Sequence, residues 1–495
     1  MNGLAALTLG QRPKGRTALR ADWVLGHGAQ GHRLLKNAEV VIEGARVLHV
    51  GGRFPGEVAR RVDLGAALLS PGFIDLDALS DLDTTLLAID HQPGWAKGRV
   101  WPQSYVARGP YEMYAPEELA FQKRFAFAQL LLNGITTAAP IASLFYREWG
   151  ETEGEFDAAA QAALDMGLRV YLGPAYRAGG MVCTAPGVLE PRFDEARGLE
   201  GLEAAAAFIR RWQGAGEGLI HGLLAPDRVE TCTAALLQRS MAMAADLDVP
   251  VRLHMAQGQM EVDTVRALHG TTAPQWLAGQ GLLSSRLIAP HATHATDDDL
   301  RAYADHGVSV VHCPLVSGRF GGVLRSFRKL EALGIPIAMG TDTAPPDMLM
   351  NLQIGLILAR VAEGDAGATS SADLFRAATL GGAKVLGRDD LGRIAPGCPA
   401  DLAVFDLSDA HMAPLIDPIT TLIAGGTGRV TRATFVDGRL AMRDGQVAGL
   451  DLPAARIRAQ DQFDGLVAKY PERSWGHPPL EQLFPASFPM EVHDA

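Results

Sequence analysis

The sequence predicts an α/β protein: a (β/α)8 TIM barrel carrying a small β-sandwich domain built from both ends of the chain. Three observations carry this. From Pro71 to about Leu386, short apolar runs alternate with helix-like stretches, the pattern of parallel strands joined by crossover helices. Counted from residue 71 there are eight such runs, the number that closes a barrel. On either side stand strand-like segments without intervening helices, and neither is enough for a stable sheet alone.

In order, residues 1–21 read as an N-terminal arm without periodicity, and 22–65 as the first part of the β-sandwich. Barrel residues follow over 66–390. The first strand is the apolar run Ala66 to Ser70, interrupted by Pro71-Gly72 and resumed at Phe73. An excursion over 84–115 with Trp95, Trp101, Pro102 and Tyr105 suggests a lid or a subunit contact. The next strands are Ile135-Thr136-Thr137-Ala138-Ala139, Leu168 to Gly173, Gly218 to Pro226 and Pro250 to His254. Leu287 to His291, Val308 to Pro314 and Ile335 to Asp342 complete the eight. Residues 391–450 return as strands to complete the sandwich, and 451–495 form a short helix and a Pro-rich tail on the surface.

Composition excludes several function classes. A net charge of −11 over 495 residues argues against nucleic acid, whose binding needs a basic face, and against an anionic membrane surface. No apolar run reaches the roughly 18 residues of a membrane span, and there is no signal-peptide pattern at the amino terminus. The four cysteines are scattered without metal-binding spacing and read as reduced structural thiols. A cytoplasmic homodimer acting on a small molecule is the expectation.

The chemistry gathers where barrel enzymes keep it, at the carboxyl ends of the strands. Asp77, Arg177, Asp227, His254, His291, His312 and Asp342 all fall there. Asp75, Asp81 and Asp83 flank the first of them and read as a solvated edge, and His312 as a structural histidine or a substrate contact.

Several stretches resemble the amidohydrolase superfamily, in its cytosine-deaminase and triazine-hydrolase branch. They are Pro71-Gly72-Phe73-Ile74-Asp75, Gly134-Ile135-Thr136-Thr137, His312-Cys313-Pro314, Gly340-Thr341-Asp342, the run Ala378 to Gly387 and Gly397-Cys398-Pro399-Ala400-Asp401-Leu402. The resemblance implies the barrel-plus-sandwich fold and a metal held by a strand-one His-x-His pair, a strand-five histidine and a strand-eight aspartate. His254 and Asp342 match the last two, and His291 matches the strand-six histidine that polarises substrate or binds a second metal. The strand-one pair is replaced by Asp77 and Leu79. Gln257 stands where the family has its acid, a glutamate, and Asp227 where a strand-four histidine is common.

Two readings follow. In the first, the chain is a hydrolase or deaminase acting on a C–N or lactone-type bond of a small cyclic substrate. Asp342 is then the base, with His254 and His291 polarising substrate and Asp77, Asp227, Gln257, Arg177 and His312 around it. In the second, it is a catalytically lapsed homologue serving as a binding or assembly subunit. The cofactor stays open. Asp77, His254, His291 and Asp342 offer two nitrogens and two oxygens to one zinc or iron ion. The loss of the histidine pair points instead to a metal-free site, one whose zinc affinity restoring both histidines would raise.

Overall fold

The structure is a computed structural model and describes residues 3–83, 100–109, 111–141 and 150–491. Eight parallel strands form the barrel: Phe73–Ala78, Ile135–Pro140, Arg169–Leu172, Ile220–Gly222, Val251–Arg252, Leu287–Pro290, Ser309–His312 and Ile337–Met339. The first strand pairs with both the second and the eighth. The ring closes between the fourth and fifth, where Leu224 N–H donates to the Pro250 carbonyl at 3.0 Å and Arg252 N–H to the Leu224 carbonyl at 2.9 Å. Short strands suffice here because each is buried on both faces and paired on both edges. Of the expected excursion over 84–115, Trp95 lies outside the described residues. Trp101–Pro102 pairs with Gly179–Ala185, which pairs in turn with Val188–Phe193, as a small sheet outside the barrel.

The second domain is one nine-stranded sheet drawn from both chain ends. Its hub is Ala67–Pro71, which runs parallel to Thr17–Gly28 and antiparallel to Leu402–Asp406. This corrects the expected boundary at 66, because that stretch belongs to the sandwich and not to the barrel. The crossing point is Gly72. Its N–H still donates to the Asp401 carbonyl, while the next residue, Phe73, donates to Gly134 in the barrel. A Cβ at Gly72 would meet the Thr136 side chain at 2.1 Å, so no larger residue fits the crossing.

Both chain ends are better anchored than expected. Thr17–Gly28 and Gly31–Glu43 form one long hairpin that starts inside the expected arm. Leu4 and Leu7 are buried in the sandwich core, and Arg443 donates to both of their carbonyls. The carboxyl-terminal helix Leu452–Lys469 is followed by a turn, Tyr470–Arg473, whose Arg473 guanidinium lies buried 5.1 Å from the centre of the Tyr105 ring. The tail therefore braces the barrel rim and does not merely lie on the surface. At the other end of the barrel, the buried Arg169 on strand three pairs with Asp401 and lies 3.7 Å from Asp437, tying the two domains together.

Candidate active site at the carboxyl end of the barrel

Four of the expected residues converge. Asp77, at the end of strand one, is completely buried. His254 Nε2 stands 3.5 Å from its Oδ1 and His291 Nε2 3.8 Å from its Oδ2. Asp342 Oδ2 lies 3.6 Å from His291 Nε2, and its side chain keeps 10% exposure at the cavity edge. The backbone bends to aim these groups. His291 (φ 75°) and Asp342 (φ 56°) both take left-handed conformations just past their strands, a strained choice for residues with side chains. Asp342 N–H donates to the Asp77 carbonyl at 2.7 Å, which fixes strand eight against strand one. Gly340 makes room: a Cβ there would stand 2.6 Å from the Asp77 Cβ.

Electrostatics are set by what surrounds Asp77. Burial alone would push its carboxyl up, but His254, Arg252 and His291 outweigh that and hold it down to about 2. Arg252 joins the site although it is not among the residues expected there. Its Nε is 3.8 Å from Asp77 Oδ1, and its other nitrogens donate to the Ala139 and Pro140 carbonyls at 2.8 and 3.1 Å. Cys313 Sγ lies 3.6 Å from Asp77 Oδ2. His254 Nδ1 donates to the Asp227 carbonyl at 3.1 Å. A carbonyl can only accept, so this bond fixes the tautomer and turns Nε2 towards Asp77.

Asp77, His254 and His291 form a group able to hold a metal ion, their ligand atoms lying within 4.8 Å of one another. The donor edges of 3.5–3.8 Å are too long for good hydrogen bonds. They are close to the roughly 3.4 Å separating ligands that share one tetrahedral ion at about 2.1 Å. Asp77 Oδ1 is buried and has no hydrogen-bond partner among the described residues. The residues present therefore fit a divalent ion, with Asp77 in a ligand position.

The carboxylates flanking Asp77 are not a solvated edge. Asp75 is fully buried; it accepts from the Thr341 hydroxyl at 2.6 Å and N–H at 3.1 Å, and burial pushes it up to about 7 despite those bonds. Asp83 accepts from the Thr343 hydroxyl and from Ala344 N–H at 2.8 Å, pinning the loop after Asp342. Asp81 and Asp83 are both buried and line the cavity.

That cavity, about 100 Å³ and open to solvent, lies above His254 and Asp342. Arg177, Asp227 and Gln257 line it as expected, Arg177 with its guanidinium 4.7 Å from the centre of the Trp101 ring. Arg228, Glu230 and Glu261 line it too and were not foreseen. Burial and neighbouring Glu261 push Glu230 up to about 8, against the pull of Arg228.

His312 is not among the lining residues. Side chains alternate along a strand, and Cys313 beside it faces Asp77. His312 faces the other way, its ring 6.1 Å from Phe327 on the helix Phe327–Ala332. Burial lowers its pKa to about 4. On unfolding it regains its ordinary 6.5, so the fold loses stability as pH falls from 6.5 towards 4. Unfolding midpoints measured across that window should drop less in His312→Gln than in wild type; equal pH slopes would contradict the placement.

The model of the Amidohydrolase family matches residues 68–441. Among curated relatives, the 5-methylthioadenosine/S-adenosylhomocysteine deaminase of Pelotomaculum thermopropionicum is 25% identical, covering 87% of this chain and 94% of its own. The deaminase of the same name from Halobacterium salinarum is 28% identical, covering 86% and 93%. Among solved structures, a zinc-bound adenosine deaminase from Xanthomonas campestris superposes with a TM-score of 0.74 at 23% identity, covering 91% of this chain and 98% of its own. A zinc complex of an atrazine chlorohydrolase from Arthrobacter aurescens gives 0.74 at 22% identity, covering 90% and 99%. Both structural likenesses show the shared fold. With the family match spanning residues 68–441, well over half of its length, the chain belongs to the amidohydrolase family.

Proposed function

We propose that the protein is a hydrolase of the deaminase type, acting on a non-peptide C–N bond of a small nitrogen heterocycle. The observation that carries this is the convergence of Asp77, His254, His291 and Asp342 beneath one cavity. The deaminase names of its relatives support the bond type.

Asp342 is the base. It sits at the cavity edge beside His291 and takes a proton from water as the water oxygen bonds to the ring carbon bearing the amine. The same carboxyl then delivers that proton to the departing nitrogen, and the C–N bond breaks to release ammonia. Gln257 cannot carry a proton, so Asp342 makes both transfers. His291 and His254 polarise the substrate where negative charge builds on the ring nitrogen. Asp77 holds the two imidazoles in place from below. Asp77, His254, His291 and Asp342 would hold one divalent ion, zinc or iron, and that ion would supply acidification of water and polarisation of the substrate.

The protein would work on a freely diffusing small molecule, as a cytoplasmic homodimer; no described helix is long and apolar enough to cross a membrane. The rival reading, a lapsed homologue with a binding role, rests on Gln257 and Leu79. Ammonia release from a panel of aminopurines, aminopyrimidines and aminotriazines, against lactones and simple amides, separates the two. Turnover of at least one aminoheterocycle, reduced by chelator and restored by zinc or iron, is expected. A correctly folded protein inactive on the whole panel, with each metal added, would sink the enzymatic reading.

A further inference from the structure

We propose that Arg228, Glu230 and Gln257 form a recognition edge for a neutral lactam group, an adjacent ring C=O and N–H, on the heterocyclic substrate. This rests on the reading above and narrows its substrate class.

The edge is built, not incidental. Arg228 lies beside His254 in a parallel bridge, just after strand four. Its backbone is pinned: its N–H donates to Thr231 Oγ1, which donates in turn to Asp227 Oδ2, both at 3.1 Å. Arg228 is 8% exposed and Glu230 7%, and both line the cavity that holds His254 and Asp342. Arg228 Nη1, Glu230 Oε2 and Gln257 Oε1 are buried atoms with no hydrogen-bond partner among the described residues. Buried polar groups are seldom left unpaired, so three in one cavity point to a ligand that completes them.

Charge balance decides what kind of ligand. Glu261 Oε2 stands 4.0 Å from Arg228 Nη1, and Asp227 also acts on the guanidinium. Glu261 is itself held by the Ala256 and Gln257 N–H groups at 2.5 and 2.8 Å, so it stays where it is. The arginine is therefore already neutralised by protein acids. An anionic substrate group would be surplus beside them, whereas a neutral acceptor completes the guanidinium without adding charge. Arg228 can only donate, so it takes the ring carbonyl. Gln257 or Glu230 offers an oxygen to the neighbouring ring N–H. A site built around such bonds rejects an analogue lacking them far more strongly than an apolar pocket rejects a missing methylene.

The test uses unreactive probes on the full-length protein, with affinities from calorimetry or equilibrium dialysis. 4-Pyrimidinone is compared with pyrimidine, and hypoxanthine with purine, so that each pair differs in the lactam edge. At least one lactam should bind roughly tenfold or more tighter than its parent. That ratio should fall to within about twofold in Arg228→Met and in Arg228→Lys, which keeps the charge beside Glu261 and so guards against misfolding. Equal binding within both pairs, no measurable binding of either lactam, or a ratio that survives both substitutions would overturn the edge. Ammonia release without lactam preference would overturn the edge alone. Lactam preference without turnover of any aminoheterocycle would instead sink the enzymatic reading and leave the edge standing.

Discussion

Replacing Asp342 with asparagine lowers kcat by about 10²–10⁴-fold and leaves the fold intact. The loss is large because the carboxyl is asked to make both proton transfers, with Gln257 unable to share them. The fold survives for a local reason. Asp342 holds φ at 56°, a left-handed conformation that asparagine tolerates better than most residues. The N–H that ties it to the Asp77 carbonyl belongs to the backbone and is untouched. Asparagine is also nearly the same size, so the contact with His291 keeps its shape. The contrast is Asp227→Asn, which keeps the carbonyl that accepts from His254 Nδ1 and should raise KM more than it lowers kcat. On whichever aminoheterocycle the wild type turns over, a drop of only a few-fold in Asp342→Asn kcat would remove Asp342 from the role of base.

Strand-end position made most of the site legible. His254, His291 and Asp342 each close an apolar run, and in a parallel barrel all such ends face one mouth. Partners supplied by distant segments were not legible. Asp75 and Asp83 look like a solvated acidic edge until Thr341, Thr343 and Ala344 arrive from strand eight to bond them. Arg252 did leave a signal. Period-two alternation puts it on the same face as His254, and a charged side chain inside a barrel needs a counter-ion. The same alternation separates Cys313 from His312, which the motif His312-Cys313-Pro314 obscures. Arg228 and Glu230 lie in an irregular turn where no period applies. The long hairpin from Thr17 to Glu43 was half hidden because its tip, residues 31–37, has no fully buried position and so shows none of the alternation a strand is read from.

The double change Asp77→His with Leu79→His should fail to bind zinc tightly until Arg252 is neutralised as well. On ligand count alone the double variant ought to suffice, since it restores the family's strand-one pair. The structure argues otherwise. Arg252 is buried, its two terminal nitrogens are spent on the Ala139 and Pro140 carbonyls, and Asp77 is the acid nearest its Nε. Histidine at 77 leaves that guanidinium without its closest counter-charge, at a cost of about 3–5 kcal/mol for a broken buried pair. A zinc ion would then add two positive charges beside a cation held in place by the end of strand two. The imidazole is also larger than the carboxylate it replaces, in a spot where even a Cβ on Gly340 would come within 2.6 Å of the Asp77 Cβ. Adding Arg252→Met removes the stranded charge with a side chain of similar length. The triple variant should recover most of the lost stability in urea unfolding and carry close to one zinc per chain after dialysis, measured by elemental analysis. A double variant that already holds stoichiometric zinc at wild-type stability would show that Arg252 does not govern the site. The expected outcome makes Asp77 and Arg252 one compensated exchange, in which a carboxylate could enter a ligand position because a fixed cation lies beneath it.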